Sequence, residues 1–386
     1  MEINRRMRVA IFTESYEPIV NGVSVSVATL RDGLRARGHE VVIFAPRFPG
    51  HEDGEGVVRL PSRISRFAKG YPIPIPYAPK ARRAFLALQP DIVHTQTPFF
   101  LGVLGLRWAR QAGVPIVSTN HTLYTQYAHY LPFVPRVVTR AVLVRLMRWY
   151  YGRCDAVVVP SRSAEQTLRQ YGIKTRMEII KSGVAADLTD EREAVRRAFQ
   201  VPSDSFLFLY VGRIAREKNI GLLLRAFKRI REKHPQARLM VVGSGPYEPA
   251  SRRLCRMLGI EDSVVFAGML SRADVAQVYS AADAFVFPSL TETQGLVVCE
   301  ALTAGLPCVA VRAAATPEVL EDGIDGFLTD NSVEGFAECA ARLISDPGLR
   351  ERMSRGALRS ASKFSAEAMT ERFEAFYRST IDSKRG

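Results

Sequence analysis

Cysteine is scarce in this chain and poorly arranged for cross-linking. Of 386 residues five are cysteine, at positions 154, 255, 299, 308 and 339. An odd, scattered set gives no disulfide framework, and no C-x-x-C pair with a histidine partner suggests zinc. Most lie in apolar runs like small buried hydrophobes, as expected of a protein in a reducing cytoplasm. Long apolar runs are lacking too. No stretch of about 18 apolar residues without charge occurs, so no transmembrane helix is expected. The N-terminus, "MEINRRMRVAIFTESYEP", runs straight into a strand without the apolar core and cleavage site of a signal peptide. Internal repeats of roughly 20–50 residues and low-complexity tracts are absent.

Acid is in short supply: 39 Asp and Glu face 53 Lys and Arg, a formal net charge of +14. A basic surface attracts phosphate, whether in nucleic acid, a nucleotide or an anionic membrane. The excess is uneven. Arg59 to Arg83 carries seven Lys or Arg and no acid, and Arg136 to Arg153 carries five Arg and no acid. Both runs lie in the first half.

Hydrophobic (47%) and charged (24%) contents are ordinary for a folded protein. At about 150 residues per domain the length predicts two or three domains. Short β-branched runs alternate with amphipathic stretches, the pattern of a parallel sheet covered by helices. Strands are expected in the first half at 8–12, 41–45, 91–95, 115–119, 156–160 and 177–181. In the second half they are expected at 206–212, 237–243, 263–268, 284–289 and 307–311. The polar stretch "AADLTDEREAVRRAFQ" (185–200) reads as a linker and a short helix, joining two doubly wound halves near 183–190. The last segment, Ser365 to Ser383, is helical in period, with Met369, Phe373 and Phe376 on one face.

Open α/β sheets bind ligands beyond the carboxyl ends of their strands, so those loops come next. After the first strand, "TESYEPIVNGVSVSV" places Gly22 where loop turns into helix, and backbone amides there can approach a phosphate. There is no G-x-G-x-x-G, so the dinucleotide fingerprint is absent. After "FLFLYVG", Arg213 and Lys218 follow directly, with Asn219 positioned to cap the next helix. Two cations beside a helix start form a diphosphate cradle or, equally, a solvated basic turn. Ser244, Gly245 and Pro246 make a tight turn after the next strand.

In "SLTETQGLVVCEAL" (289–302), Thr291 or Thr293 is expected to cap a helix beginning near Gly295. Glu292 then lies in the loop, and Glu300 about one and a half turns into the helix. The two carboxylates are acceptors at two depths, with the amides at Gln294 and Gly295 between them. A nucleotide sugar suits that arrangement; so does a capped helix with one exposed glutamate. In the first half, "STNHTLYTQYAHY" crowds His121, Tyr124, Tyr127, His129 and Tyr130 into ten residues. His121 sits at a strand end where it can reach a ligand, while His129 reads as structural. No metal triad is evident, and no G-x-S-x-G elbow supports a serine hydrolase.

Taken in order, the Gly22 loop, "NHT" (120–122), "VGRIAREKNI", "GSGP" and "PSLTETQGLVVCEALTAGLPCVA" resemble glycosyltransferase family 4. The most specific element is the E-x7-E pattern at Glu292 and Glu300. The resemblance implies the GT-B fold, an α/β architecture of two Rossmann-like doubly wound domains facing across a cleft. It places an acceptor-binding domain at 1–184, a nucleotide-sugar domain at 185–364, and a C-terminal helix at 365–386 packing back on the first domain. It implies retaining transfer of a hexose from a nucleotide diphosphate sugar, UDP-glucose being the expected donor. No metal is obligatory, though Mg²⁺ is expected to stimulate. Arg213 and Lys218 would bind the diphosphate, Glu300 the ribose hydroxyls and Glu292 the sugar hydroxyls. Thr293, Gln294, Gly295, Leu296, Gly243, Ser244, Gly245 and Met269 would line the donor. Gly22 would approach the phosphates, and His121 would face the sugar at the reacting carbon. Family members often carry Phe or Gly after the first glutamate; Thr293 and Gln294 stand here, which leaves the donor sugar open.

Within that family the first half looks most like bacterial 1,2-diacylglycerol 3-glucosyltransferases. Arg136, Arg140, Arg145, Arg148 and Arg153 interleave with Val137, Val138, Val142, Val144, Leu146, Met147 and Trp149. That is a basic amphipathic helix suited to an anionic membrane face, or one whose apolar side packs in the core. "KGYPIPIPYAPKARR" (69–83) adds a stiff, aromatic, basic loop. The expected acceptor is diacylglycerol at the cytoplasmic face of the membrane; a soluble sugar phosphate, inositol or glycan would use the same donor loops. A sugar epimerase of the same shape fits the E-x7-E pattern less well. A non-enzymatic nucleic-acid binder would leave the loops unexplained.

Overall fold

A computed structural model describes residues 5–19, 21–51, 54–64, 72–75, 77–122, 135–184 and 191–385. The chain divides into two compact units, Met1–Gly183 with Ala366–Gly386, and Val184–Ser365.

Every run read above as a strand is one, with ends moved by one or two residues. In the first unit the strands are β1 (Arg8–Phe12), β2 (Glu40–Pro46), β3 (Val57–Leu60), β4 (Ser62–Ile64), β5 (Pro72–Pro74), β6 (Ile92–Thr95), β7 (Ile116–Thr119), β8 (Ala156–Val159) and β9 (Met177–Ile179). Seven of them form a parallel sheet in the order β3-β2-β1-β6-β7-β8-β9, and β4 and β5 pair as an antiparallel ribbon. The second unit holds β10 (Phe206–Val211), β11 (Ala237–Val242), β12 (Val264–Gly268), β13 (Ala284–Phe287), β14 (Cys308–Val311) and β15 (Gly326–Thr329). These form a parallel sheet in the order β12-β11-β10-β13-β14-β15. Strands buried on both faces read as unbroken apolar runs, as Ala156–Val159 and Phe206–Val211 do, each residue of both being buried. The strands the sequence did not announce, such as β3 and β15, lie at sheet edges and are only four residues long.

In each sheet the chain winds outward, returns to the middle and winds the other way. The reversal falls between β1 and β6 in the first unit, and between β10 and β13 in the second. Such switch points leave a crevice at the carboxyl ends of the strands.

The first unit's sheet has a core on each face. On one, Phe12 stacks on Phe44 at 4.6 Å between centroids, and Trp108 meets Phe12 edge-on at 5.6 Å. On the other, the helix Gly22–Ala36 and the C-terminal helix Ala366–Arg385 pack together. The latter buries Met369, Phe373 and Phe376, with Tyr377 and Ile381. An added Cβ at Gly33 would lie 2.1 Å from the Thr370 hydroxyl, so these helices cross in close contact. The Tyr377 hydroxyl reaches Nδ1 of His94 on β6 at 2.6 Å, while Nε2 of that ring meets the Thr119 hydroxyl at 2.7 Å. Burial pushes the His94 imidazole down to about 3, so it is neutral at physiological pH.

The expected short helix of the second unit's start is Arg192–Ala198; the linker residues 185–190 lie outside the described residues. So do Tyr124, Tyr127, His129 and Tyr130, as well as Lys69 to Tyr71 and Pro76 of the basic loop.

Candidate functional site

In the second unit, the loop after β10 becomes a turn of 3-10 helix, Arg216–Lys218. Asn219 follows in the left-handed region at φ +57°. It stands at the start of the helix Ile220–Lys233, yet its side chain makes no cap and its amide donates instead to Asn331 Oδ1 at 2.9 Å. The expected Asn219 cap is therefore corrected, because a left-handed residue aims its side chain away from the amides of N2 and N3. The turn sets Lys218 Nζ against Glu292 Oε1 in an ion pair, and the Ser289 hydroxyl donates to the same oxygen at 2.9 Å. Both charged side chains are mostly covered, at 15% and 13% exposure, so solvent screens this pair less than a surface ion pair. Arg213 is exposed in the same loop.

Two glycines let the loops after β10 and β11 touch backbone to backbone. A Cβ at Gly243 would lie 2.1 Å from the Gly212 carbonyl oxygen, and one at Gly245 would lie 2.2 Å from the Ile214 carbonyl oxygen. The Ile214 amide donates to the Ser244 carbonyl at 3.0 Å, and the Tyr247 amide to the Ile214 carbonyl at 3.0 Å. The Tyr210 hydroxyl donates to the Arg213 carbonyl at 3.1 Å from below. Met269 is exposed after β12.

The helix after β13 is Leu296–Thr303. Its first flanking residue is Gly295, at φ +82°, with no side-chain cap; neither Thr291 nor Thr293 fills that role, which corrects the expectation. The left-handed turn at Gly295 brings the chain straight from loop to helix, leaving first-turn amides without intrahelical partners. Gln294 is buried beside it. Glu300 Oε2 accepts from the Tyr279 hydroxyl at 2.9 Å, and that hydroxyl also lies 3.1 Å from the Val297 carbonyl. Burial raises the Glu300 carboxyl, against the Tyr279 hydrogen bond and the Arg272 charge, which lower it.

In the first unit, Gly22 is the first residue of the helix Gly22–Ala36, and a Cβ there would meet nothing within 4 Å. Asn21 caps this helix, accepting from the Val23 and Ser24 amides at 3.0 Å each, while Ser24 Oγ accepts from the Asn21 amide at 2.9 Å. Two first-turn amides are thus already bonded. Glu14, in the loop after β1, accepts from the Leu101 amide at 2.8 Å and from Thr97, stabilising the start of the helix Phe100–Ala112. Burial raises its carboxyl.

His121 follows Asn120 after β7. Its Nε2 lies 2.6 Å from Oε1 of Gln96, the buried residue at the end of β6. An amide oxygen only accepts, so Nε2 carries the proton. Burial lowers this imidazole to about 4, leaving it neutral near pH 7. Beneath, the Asn120 amide donates to the Tyr151 hydroxyl at 2.9 Å, and Tyr150 meets the Thr95 hydroxyl at 2.6 Å. Tyr150 and Tyr151 end the helix Arg136–Tyr151. Its final turns bury Met147, Tyr150 and Tyr151, whereas Val137, Val138 and Val142 are 80%, 50% and 60% exposed beside exposed Arg140 and Arg145. The helix is therefore split: one end anchors in the core and the other presents an apolar, basic surface.

Gln96, Glu14, Ser289 and Tyr279 were missed by sequence reasoning. Gln96 directly follows β6 and Ser289 stands two residues after β13, a signal that could have found them. Tyr279 had none, because it reaches Glu300 across 21 residues. Among the described residues no group of three His, Cys, Asp or Glu side chains could hold a metal ion, and no helix is long and apolar enough to cross a membrane.

Two doubly wound parallel sheets, each with its polar loops at the switch point, define the GT-B fold. Residues 20–188 match Glycosyltransferase Family 4 and residues 191–359 match Glycosyl transferases group 1, and the chain belongs to this family. It is 31% identical over 395 residues to the alpha-monoglucosyldiacylglycerol synthase of Streptococcus pneumoniae, covering 98% of this chain and 87% of that one. It is 32% identical over 346 residues to a GDP-mannose-dependent alpha-mannosyltransferase of Mycolicibacterium smegmatis, covering 86% of each. Among solved structures, Anabaena HepE in complex with UDP-glucose superposes with a TM-score of 0.76 at 19% identity, over 96% of this chain and 99% of that one.

Proposed function

We propose that this glycosyltransferase moves glucose, with retention, from UDP-glucose to diacylglycerol at the surface of an anionic membrane. The observation that carries the donor half is the Lys218–Glu292–Ser289 cluster at the switch point of the second unit. In this reading Arg213 and Lys218 take the diphosphate, Glu292 the sugar hydroxyls and Glu300 the ribose. The Gly243–Gly245 turn, Met269 and the backbone from Thr293 to Leu296 line the donor. Cleavage of the bond to the diphosphate builds negative charge on the leaving oxygen, and cations fixed beforehand stabilise it. Gly22 contributes a close backbone approach, and neutral His121, held by Gln96, serves as a hydrogen-bonding group at the sugar.

Transfer proceeds on the face from which the diphosphate leaves, with the leaving phosphate taking the acceptor proton. Trapping a covalent glycosyl-enzyme on the unaltered protein would exclude that course. The lipid acceptor is supported by the likeness, over most of both chains, to the alpha-monoglucosyldiacylglycerol synthase and by the exposed valines among arginines on the helix Arg136–Tyr151. A mannosyl donor is the second reading, favoured by the likeness to the GDP-mannose-dependent enzyme. A panel of UDP- and GDP-sugars, with and without diacylglycerol in phosphatidylglycerol vesicles, tests both. Glucolipid formed only from UDP-glucose with diacylglycerol is the expected result; product from GDP-mannose, or with a soluble acceptor alone, overturns it.

A further inference from the structure

Glu300 depends on a residue that no motif announces. The Tyr279 phenol is buried, at 2% exposure, and its ring packs 5.8 Å from Phe285 of β13, so its hydroxyl has one place to be. That hydroxyl has a single proton and two acceptors, Glu300 Oε2 at 2.9 Å and the Val297 carbonyl at 3.1 Å. It therefore ties the carboxylate to the first turn of its own helix. We propose that Tyr279 is a positioning residue for nucleotide recognition, holding the Glu300 carboxylate in the orientation that accepts the two ribose hydroxyls. This rests on the reading of Glu300 as the ribose ligand.

The electrostatics point the same way. Burial pushes the Glu300 carboxyl toward its protonated form, and the groups that oppose this are the Tyr279 hydroxyl first and the Arg272 charge second. The other titratable groups facing Tyr279 are Cys299 on Glu300's own helix and Cys308 on β14, the latter's thiol raised by burial. Ribose hydroxyls donate best to an ionised carboxylate, which offers only acceptors; a protonated one brings a competing donor. Tyr279 thus fixes both where the carboxylate points and how far down in pH it stays charged.

The test compares UDP and GDP with their 2′,3′-dideoxy counterparts by calorimetry on the full chain. Unaltered protein is expected to lose about tenfold in affinity when the hydroxyls are removed, the weight of a hydrogen bond to a charged group. Tyr279→Phe should weaken the ribose nucleotide several-fold, leave the dideoxy form unchanged, and move the acid limb of nucleotide binding to higher pH. Combined with Glu300→Gln, it should cost little beyond Glu300→Gln alone, since the two act through one contact. Equal weakening of ribose and dideoxy forms, or an unshifted pH limb, overturns the role of Tyr279 while leaving Glu300 in place. Undiminished binding by Glu300→Gln, or no binding of either nucleotide by the unaltered chain, removes the underlying ribose assignment itself.

Discussion

Lys218 and Glu292, 74 residues apart in sequence, form an ion pair that joins the loops after β10 and β13. The pair lies where the sheet reverses its winding, and Ser289 shares the same carboxylate oxygen. In the proposed reading, the cation assigned to the diphosphate and the carboxylate assigned to the sugar are therefore coupled before any donor arrives. Removing one leaves the other partly buried without its partner, which is costly.

The first prediction follows from that coupling. Lys218→Met and Glu292→Gln should each lower kcat by roughly 100-fold or more, the usual cost of losing one preorganised group at developing charge. The double variant should fall little below the worse single one, because the residues act as a unit. Steady-state assays of nucleotide release check this. Two losses that multiply independently would show that the pair is incidental to catalysis.

A second prediction concerns the turn after β11. Gly245→Ala sets a methyl against the Ile214 carbonyl, where the built Cβ lies 2.2 Å away. Backbone cannot step aside as a flexible side chain does, so the Arg213 loop must shift. The variant should lose about 1–3 kcal/mol of stability, as overpacked sites do, with a raised donor KM. Denaturant unfolding and donor titration read the two effects, and an unaltered KM would dissociate this turn from donor binding.

Much of this was legible in the sequence because parallel strands buried on both faces announce themselves as apolar runs. The loops that follow them then stand in fixed order, so Arg213, Lys218, Glu292 and His121 could be singled out from position alone. What the sequence hid were contacts between elements. The Lys218–Glu292 pair needs the strand order β10-β13, and Tyr279 needs the packing of one helix over another. The caps misread at Asn219 and Gly295 had one cause: left-handed backbone at the helix start, which residue preference alone does not reveal.

Acid sensitivity is the third prediction. His94 and His121 are lowered by burial to about 3 and about 4 from an ordinary 6.5, so the unfolded chain binds protons that the folded one refuses. The stability this confers is full above about pH 6.5, and erodes as pH falls from there toward the two lowered values. His94→Gln keeps a donor and an acceptor for Thr119 and Tyr377 without titrating. Its unfolding free energy should drop less than that of the unaltered protein between pH 7 and pH 5. Denaturant titrations at both pH values check the difference, and parallel losses would assign the acid sensitivity elsewhere.

The last prediction tests the split helix Arg136–Tyr151. Val138 and Val142 are one helical turn apart and half or more exposed, with Arg145 continuing the same face, while Tyr150 and Tyr151 are locked in the core. Charge placed at the exposed end should therefore act on membrane binding without disturbing the fold. Val138→Asp with Val142→Asp removes apolar area and sets two negative charges against an anionic surface, so flotation with phosphatidylglycerol vesicles should fall severalfold. Raising the salt concentration should weaken binding of the unaltered protein in the same assay, because juxtamembrane charge is screened within a Debye length. Donor affinity, measured without vesicles, should stay as it was, since the helix belongs to the first unit and the residues proposed for the diphosphate to the second. Flotation that ignores both the aspartates and the salt would show that this face does not meet the membrane.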